Sequence, residues 1–247
     1  MDGDYDYDTF SEVYGVGCLQ YNVLMQKKLI DEKDRPLKIN WGLAPLPKDC
    51  KTVLAQHLVR MMMAELPGDR SSFSELLEHP YFWDWPKYLE FLTTVNDTIR
   101  AELNHYNGDY TYCALRREFE RGKAAFLPKT RTGAIDWTIS LNPSLRSHLG
   151  QPLTNTNCTG SLCDLIHNIR NRFLHRGDDM LIEENKAAMV IIGTIPNAYI
   201  KFWLNTYPHL FLHTYKRAAQ QLITHDSFKY YFQGTSGFYE NMIKCNV

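Results

Sequence analysis

The chain has 247 residues, 44% hydrophobic, 22% charged and 13% aromatic, with a formal net charge of −1. That is enough chain for one large or two small domains with a real core, and it excludes a disordered polymer. No global basic field advertises nucleic-acid binding, so any such surface must be local.

Helical periodicity dominates from the start, and strand-like alternation is scarce. Residues 11–28 read as an apolar helix interrupted by Gly15 and Gly17, whose cost in helix propensity points to close packing against a neighbour. Residues 29–50 read as a loop with room for one short helix. Helix resumes over 51–65, with Leu54, Leu58, Met61, Met62 and Leu66 on one side and Met61–Met63 as core filler. Ser72 and Glu75 form a capping box that opens a short helix ending at His79-Pro80. Tyr81, Phe82, Trp83 and Trp85 read as a packing cluster. A helix over about 86–105 carries Tyr88, Phe91, Leu92, Val95 and Ile99 as its stripe, and another covers about 113–121. Residues 127–160 are punctuated by proline and glycine and read as irregular.

The most informative stretch is Leu162 to Arg176, L-C-D-L-I-H-N-I-R-N-R-F-L-H-R. Leu162, Leu165, Ile166, Ile169 and Phe173 fall at core-facing helical intervals. Asn171 and His175 stand one turn apart, with Arg170 beside them; such i, i+4 pairs bring Cβ atoms to about 5–6 Å. An imidazole that titrates near neutrality beside an amide and a guanidinium suits proton transfer at a phosphate ester. Two proline-led helices close the pattern, Pro196 to about Thr206 and Pro208 to about Thr224. The expected fold class is all-α.

Charge is unevenly placed. Residues 1–12 are acidic, whereas 116–131 carry Arg116, Arg117, Arg121, Lys123, Lys129 and Arg131 against Glu118 and Glu120. With Arg170, Arg172 and Arg176 these could line a phosphate-binding surface, although charge alone is better explained by solvated helix faces. Six scattered cysteines (18, 50, 113, 158, 163, 245) form no C-x-x-C pair, which suits a reducing compartment and no zinc site. Sequons at Asn96 and Asn157 carry little weight. No apolar run approaches the roughly 18 residues of a membrane span, and the acidic start is unlike a signal peptide. A soluble cytoplasmic chain without a membrane partner is the expectation. His209 and His213 are spaced i, i+4 but have no H-E-x-x-H glutamate, so a structural role is expected and metal is not.

Several segments resemble known ones, in order. E-V-Y-G-V-G-C-L-Q-Y resembles the central helix of a protein-kinase C-lobe, and P-G-D-R-S-S-F-S-E-L-L-E-H-P-Y-F-W resembles its closing subdomain. Y-L-E-F-L-T-T-V-N-D-T-I, D-L-I-H-N-I-R-N-R-F-L-H and T-Y-P-H-L-F-L-H-T-Y-K-R-A resemble three helices of the kinase-extension nuclease domain. That domain is found in the inositol-requiring stress-response kinase/nuclease and in ribonuclease L. The resemblance implies a partial kinase C-lobe over 1–83, a helical nuclease domain over 84–236 packed on it, and a tail over 237–247. It also implies no ATP site, because the Gly-rich loop, β3 lysine, H-R-D and D-F-G are missing. The chain is then expected to be either a piece of a longer protein or a shortened form. Glu12, where kinases carry aspartate, suggests relaxed constraint on the kinase remnant.

By resemblance the implied activity is metal- and cofactor-independent RNA cleavage by a homodimer, through attack of the ribose 2′-OH on the adjacent phosphorus. His175 would be the acid, Arg170 the stabiliser of phosphoryl charge and Asn171 the residue that holds geometry. Arg172, His167 and Arg176 are the expected substrate-binding residues. One departure stands out: the family's tyrosine about fourteen residues before the asparagine is absent, and Asn157 falls at that spacing. His167, Tyr110 or Tyr112 could substitute. The second reading is a catalytically degenerate RNA-binding or dimerisation module that regulates full-length relatives.

Overall fold

The computed structural model describes residues 9–25, 49–106, 108–109, 112–143, 145–146, 159–174, 190–193 and 196–245. His175, Arg176, Asn157 and Tyr110 therefore lie outside the described residues. The helices are α1 (Thr9–Met25), α2 (Cys50–Met62), α3 (Phe73–Leu77), α4 (Trp85–His105) and α5 (Ala114–Glu120), then α6 (Leu162–Leu174), α7 (Asn197–Thr206), α8 (Leu210–Gln221) and α9 (Ser236–Lys244). Among the described residues there is no strand, only an isolated antiparallel bridge between Lys129 and Ile135. The all-α expectation holds.

The chain forms two compact units. The first comprises Met1–Trp83 and Phe232–Val247. Here α1 packs on α2. A Cβ on Gly17 would lie 2.7 Å from Met63 Cγ and 2.9 Å from Met62 Cβ, whereas one on Gly15 would meet open space. Close packing therefore explains Gly17 and not Gly15. The Ser72–Glu75 capping box is present, with Ser72 N–H donating to Glu75 Oε2 at 2.9 Å and Glu75 N–H to Ser72 Oγ at 3.4 Å. Arg70 clamps the chain by donating to the carbonyls of Ala64 and Phe10 at 2.8 and 3.1 Å while stacking over Tyr14. Residues 237–247, expected as a tail, carry all but the first residue of α9. Thr235 caps it, and it buries Phe238, Tyr239 and Met242 within this first unit.

The second unit is Asp84–Tyr231. Asp84 caps α4 by accepting from Lys87 N–H at 2.9 Å, and Pro86 sits in the first turn, where its missing N–H costs nothing. Phe91 on α4 is the hub of the aromatic core. Its ring centroid lies 5.4 Å from Phe211, 5.6 Å from Tyr215, 5.9 Å from Phe228 and 5.1 Å from Tyr231. Helix α6 lies against α4 and α5, and α8 lies against the same pair. Of the proline-led helices, Pro196 proves to be the cap of α7, while α8 begins at Leu210. The irregular stretch after Leu127 is pinned where Tyr207 Oη–H donates to Trp137 O at 2.6 Å. Of the aromatic cluster, Trp83 is buried in the first unit, Phe82 is exposed, and Trp85 packs on Tyr88 in the second.

Candidate nuclease site

Helix α6 starts where it does because two groups satisfy its first N–H donors. Ser161 Oγ accepts from Asp164 N–H at 3.0 Å, and Glu120 of α5 accepts from Leu162 N–H at 3.1 Å and Cys163 N–H at 2.9 Å. A carboxylate at a helix N-terminus also meets the positive end of the helix dipole. Burial works to raise the Glu120 carboxyl. Lys123 at 2.6 Å, Ser161 and the Cys163 N–H outweigh it and hold the group below its ordinary range. Beneath the cap, Arg116 reaches Asp164 at 2.9 Å in a pair almost out of solvent.

These contacts revise the basic patch. Arg116 is spent on Asp164, Arg121 on Glu118 at 3.0 Å and Lys123 on Glu120. Lys129 and Arg131 are exposed. Arg116 and Lys123 therefore build the start of α6, while Arg117, Arg121, Lys129 and Arg131 stay at the surface, Arg121 beside the carboxylate of Glu118.

The face of α6 that meets α4 is different. Arg170 Nε lies 2.9 Å from Asp97 Oδ1 as an ion pair whose N–H is not aligned for a hydrogen bond, and Arg170 Nη2–H donates to Asp97 Oδ2 at 3.4 Å. Arg170 Nη1–H donates to Asn171 Oδ1 at 3.3 Å, and Asn171 Nδ2–H donates to His167 Nε2 at 2.8 Å. His167 Nδ1–H donates to Asn96 Oδ1 at 3.1 Å, and Asn96 Nδ2–H returns to Asp97 Oδ1 at 2.9 Å. Five side chains from two helices thus close a ring: Asp97, Arg170, Asn171, His167 and Asn96. Arg100, one turn beyond Asn96 on α4, adds a cation that acts on His167.

The structure therefore brings together three of the six expected site residues, Arg170, Asn171 and His167, all partly exposed. His175 and Arg176 lie outside the described residues. Arg172 is buried, with 7% of its surface exposed, which leaves little of it for a substrate. The sequence carried the signal: Arg172 follows Leu165 by seven residues and Ile169 by three, within the core stripe. Asn96 and Asp97 were missed as site residues. Asn96 sits in the stripe Leu92, Asn96, Ile99, Leu103, and a polar side chain there asks for a partner. At 4% exposure it also offers nothing to a glycan, so its sequon is silent.

Tyr112, a possible replacement for the missing tyrosine, is exposed. Tyr199 is committed to the α6 carbonyl of Ile169 at 2.6 Å. His213 donates from Nε2 to Phe119 O at 3.0 Å, a structural use. A cavity of about 840 Å³ touches Asp97, but Glu90 and Glu102 also line it, and that charge repels phosphate. Among the described residues no cluster of histidine, cysteine and carboxylates could hold a metal, and no helix is long and apolar enough to cross a membrane.

A sequence model of the family described as Ribonuclease 2-5A matches residues 88–232, more than half the chain. The chain belongs to this family. The match spans α4 to the end of the second unit and so includes every member of the ring. The chain is 27% identical to the serine/threonine-protein kinase/endoribonuclease IRE2 of Homo sapiens, an alignment covering 83% of this chain and 21% of that protein. It is 26% identical to the sensor for unfolded proteins in the ER ire1 of Schizosaccharomyces pombe, covering 90% and 20%. It is 23% identical to an inactive serine/threonine-protein kinase/endoribonuclease IRE1-like of Arabidopsis thaliana, covering 90% and 39%. The chain spans about a fifth of the length of the first two relatives. These matches extend the kinase-extension nuclease resemblance across most of the sequence.

Proposed function

We propose that the chain is a metal-independent endoribonuclease that cleaves RNA by transesterification. The 2′-oxygen bonds to the adjacent phosphorus and gives up its proton to water, and the bond from phosphorus to the 5′-oxygen breaks. The 5′-oxygen leaves as a hydroxyl with a proton supplied by the protein. The products are a 2′,3′-cyclic phosphate and a 5′-OH end. The observation that carries this reading is the ring, which presents Arg170 and Asn171 together within the segment matched by the nuclease family.

In this reading Arg170 meets the charge gathering on the phosphoryl oxygens, a donor aimed where charge develops. Asn171 holds phosphate or ribose in line. His175, four residues beyond Asn171 in sequence, supplies the proton to the 5′-oxygen, a role worth about 10²–10⁴-fold. A homodimer is the working form, with an RNA loop as substrate.

The second reading is a degenerate RNA-binding or dimerisation module. Two facts favour it: Asn157 stands where the family's tyrosine is expected, and one relative in Arabidopsis thaliana is described as inactive. The two readings separate on incubation of the purified chain in EDTA with a labelled stem-loop RNA, beside His175→Ala. Cleavage by the wild type that vanishes in the variant supports the enzyme. Intact RNA with both proteins, at concentrations where dimers form, leaves the binding module.

A further inference from the structure

Asn171 is held at both ends of its amide, and two groups without a choice of role set the polarity of that hold. Asp97 accepts only, so Asn96 turns Nδ2 toward it and Oδ1 toward His167. Arg170 donates only, so Asn171 turns Oδ1 toward Arg170 and Nδ2 toward His167. His167 must then donate from Nδ1 and accept at Nε2. That is a neutral imidazole in one tautomer. A protonated ring would set Nε2–H against the Asn171 amide N–H. Flipping the amide to relieve this clash would set its NH2 against the Arg170 donor.

The electrostatics around His167 agree with this geometry. Burial and then Arg100 lower its pKa, with further lowering from Arg170 and Arg116 and an opposing effect from Asp164, to about 4. His167 is therefore neutral at neutral pH, where its lone pair is available to Asn171.

We infer that His167 is a positioning residue for Asn171, with Asn96 fixing its tautomer, and that it is not the substrate ligand expected from the sequence. The inference rests on the RNA-cleavage reading above. One Nδ2–H and one lone pair on Oδ1 of Asn171 remain for ribose or phosphate. Without His167 the amide can rotate, so the loss falls on the oriented transition state more than on ground-state binding.

The test uses the full chain as wild type, His175→Ala, His167→Ala and His167→Gln, with kcat and KM measured separately on a stem-loop RNA in EDTA from pH 4 to pH 8. Glutamine offers an oxygen to Asn171 and an NH2 to Asn96, and it cannot titrate. His167→Ala is expected to lower kcat about ten-fold with KM changed by less than about two-fold, and His167→Gln to recover to within about three-fold of wild type. The decline in rate toward pH 4 should weaken in His167→Gln. Wild-type kcat in His167→Ala, or no recovery in His167→Gln, overturns the inference while His175-dependent cleavage stands. If wild type leaves the RNA intact, or if His175→Ala cuts as well as wild type, the cleavage reading itself goes, and this inference with it.

Discussion

His57 Nδ1 and His79 Nε2 lie 2.9 Å apart in a pair with no solvent exposure, and each outer nitrogen of the pair is also engaged. Tyr81 N–H donates to His79 Nδ1 at 3.1 Å, so His79 carries its proton on Nε2 and gives it to His57 Nδ1. His57 Nε2–H then donates to the carbonyl of Met242 on α9 at 3.0 Å. Both imidazoles are neutral, and no ring nitrogen can take a proton without opposing another donor. Burial, then His57 and Lys51, push His79 well below its ordinary pKa. Lys51 is itself tied to the carbonyls of Tyr81 and Trp83, each at 2.7 Å.

A depressed histidine pKa makes the neutral pair a source of stability that is complete above about pH 6.5 and declines as pH falls below it. Thermal melts of the wild type at steps from pH 7.5 to pH 5 should show a falling midpoint below pH 6.5, and His79→Gln should flatten that slope. Parallel slopes in the two proteins would remove the pair from the account.

The two glycines of α1 predict opposite signs. Gly15→Ala fills open space on a helix and should stabilise by up to about 1 kcal/mol. Gly17→Ala drives a methyl against Met62 and Met63 and should cost about 1–3 kcal/mol. Urea denaturation of the two variants checks both, and a shared sign contradicts the packing.

The start of α6 offers a third prediction. Ser161→Ala should cost about 1 kcal/mol through the lost cap. Glu120→Ala strips acceptors from two backbone N–H groups and from Ser161 at once, and should cost about 2–3 kcal/mol. Hydrogen exchange at Leu162 and Cys163 reports the site directly: protection should fall more in Glu120→Ala than in Ser161→Ala.

Phe91→Ala removes the ring at the centre of four aromatic contacts in the second unit and should cost about 3–5 kcal/mol. A denaturation midpoint near wild type would mean that this aromatic core is not where the unit's stability resides.

Helix α6 was legible because its apolar residues repeat at 3.6-residue intervals, and the capping box at Ser72 and Glu75 because both members lie within one turn. Arg170 and Asn171 were legible as neighbours on that helix. Their hold was not: Asn96 and Asp97 lie more than seventy residues earlier, and periodicity reports which face of a helix is apolar, not which helix meets it. The same limit misassigned Arg116 to a solvent-facing patch, since its partner Asp164 comes from another element. Helix α9 escaped because Phe238, Tyr239 and Met242 make too short a stripe to stand out from turn residues.

The central claim is that the ribose 2′-OH is the nucleophile. It is tested most directly by a stem-loop RNA bearing one 2′-deoxynucleotide on the 5′ side of the mapped scissile phosphate. Transesterification predicts loss of cutting at that phosphate, with a 2′,3′-cyclic phosphate left by the all-ribose control. Cleavage that proceeds at the deoxy position would contradict it.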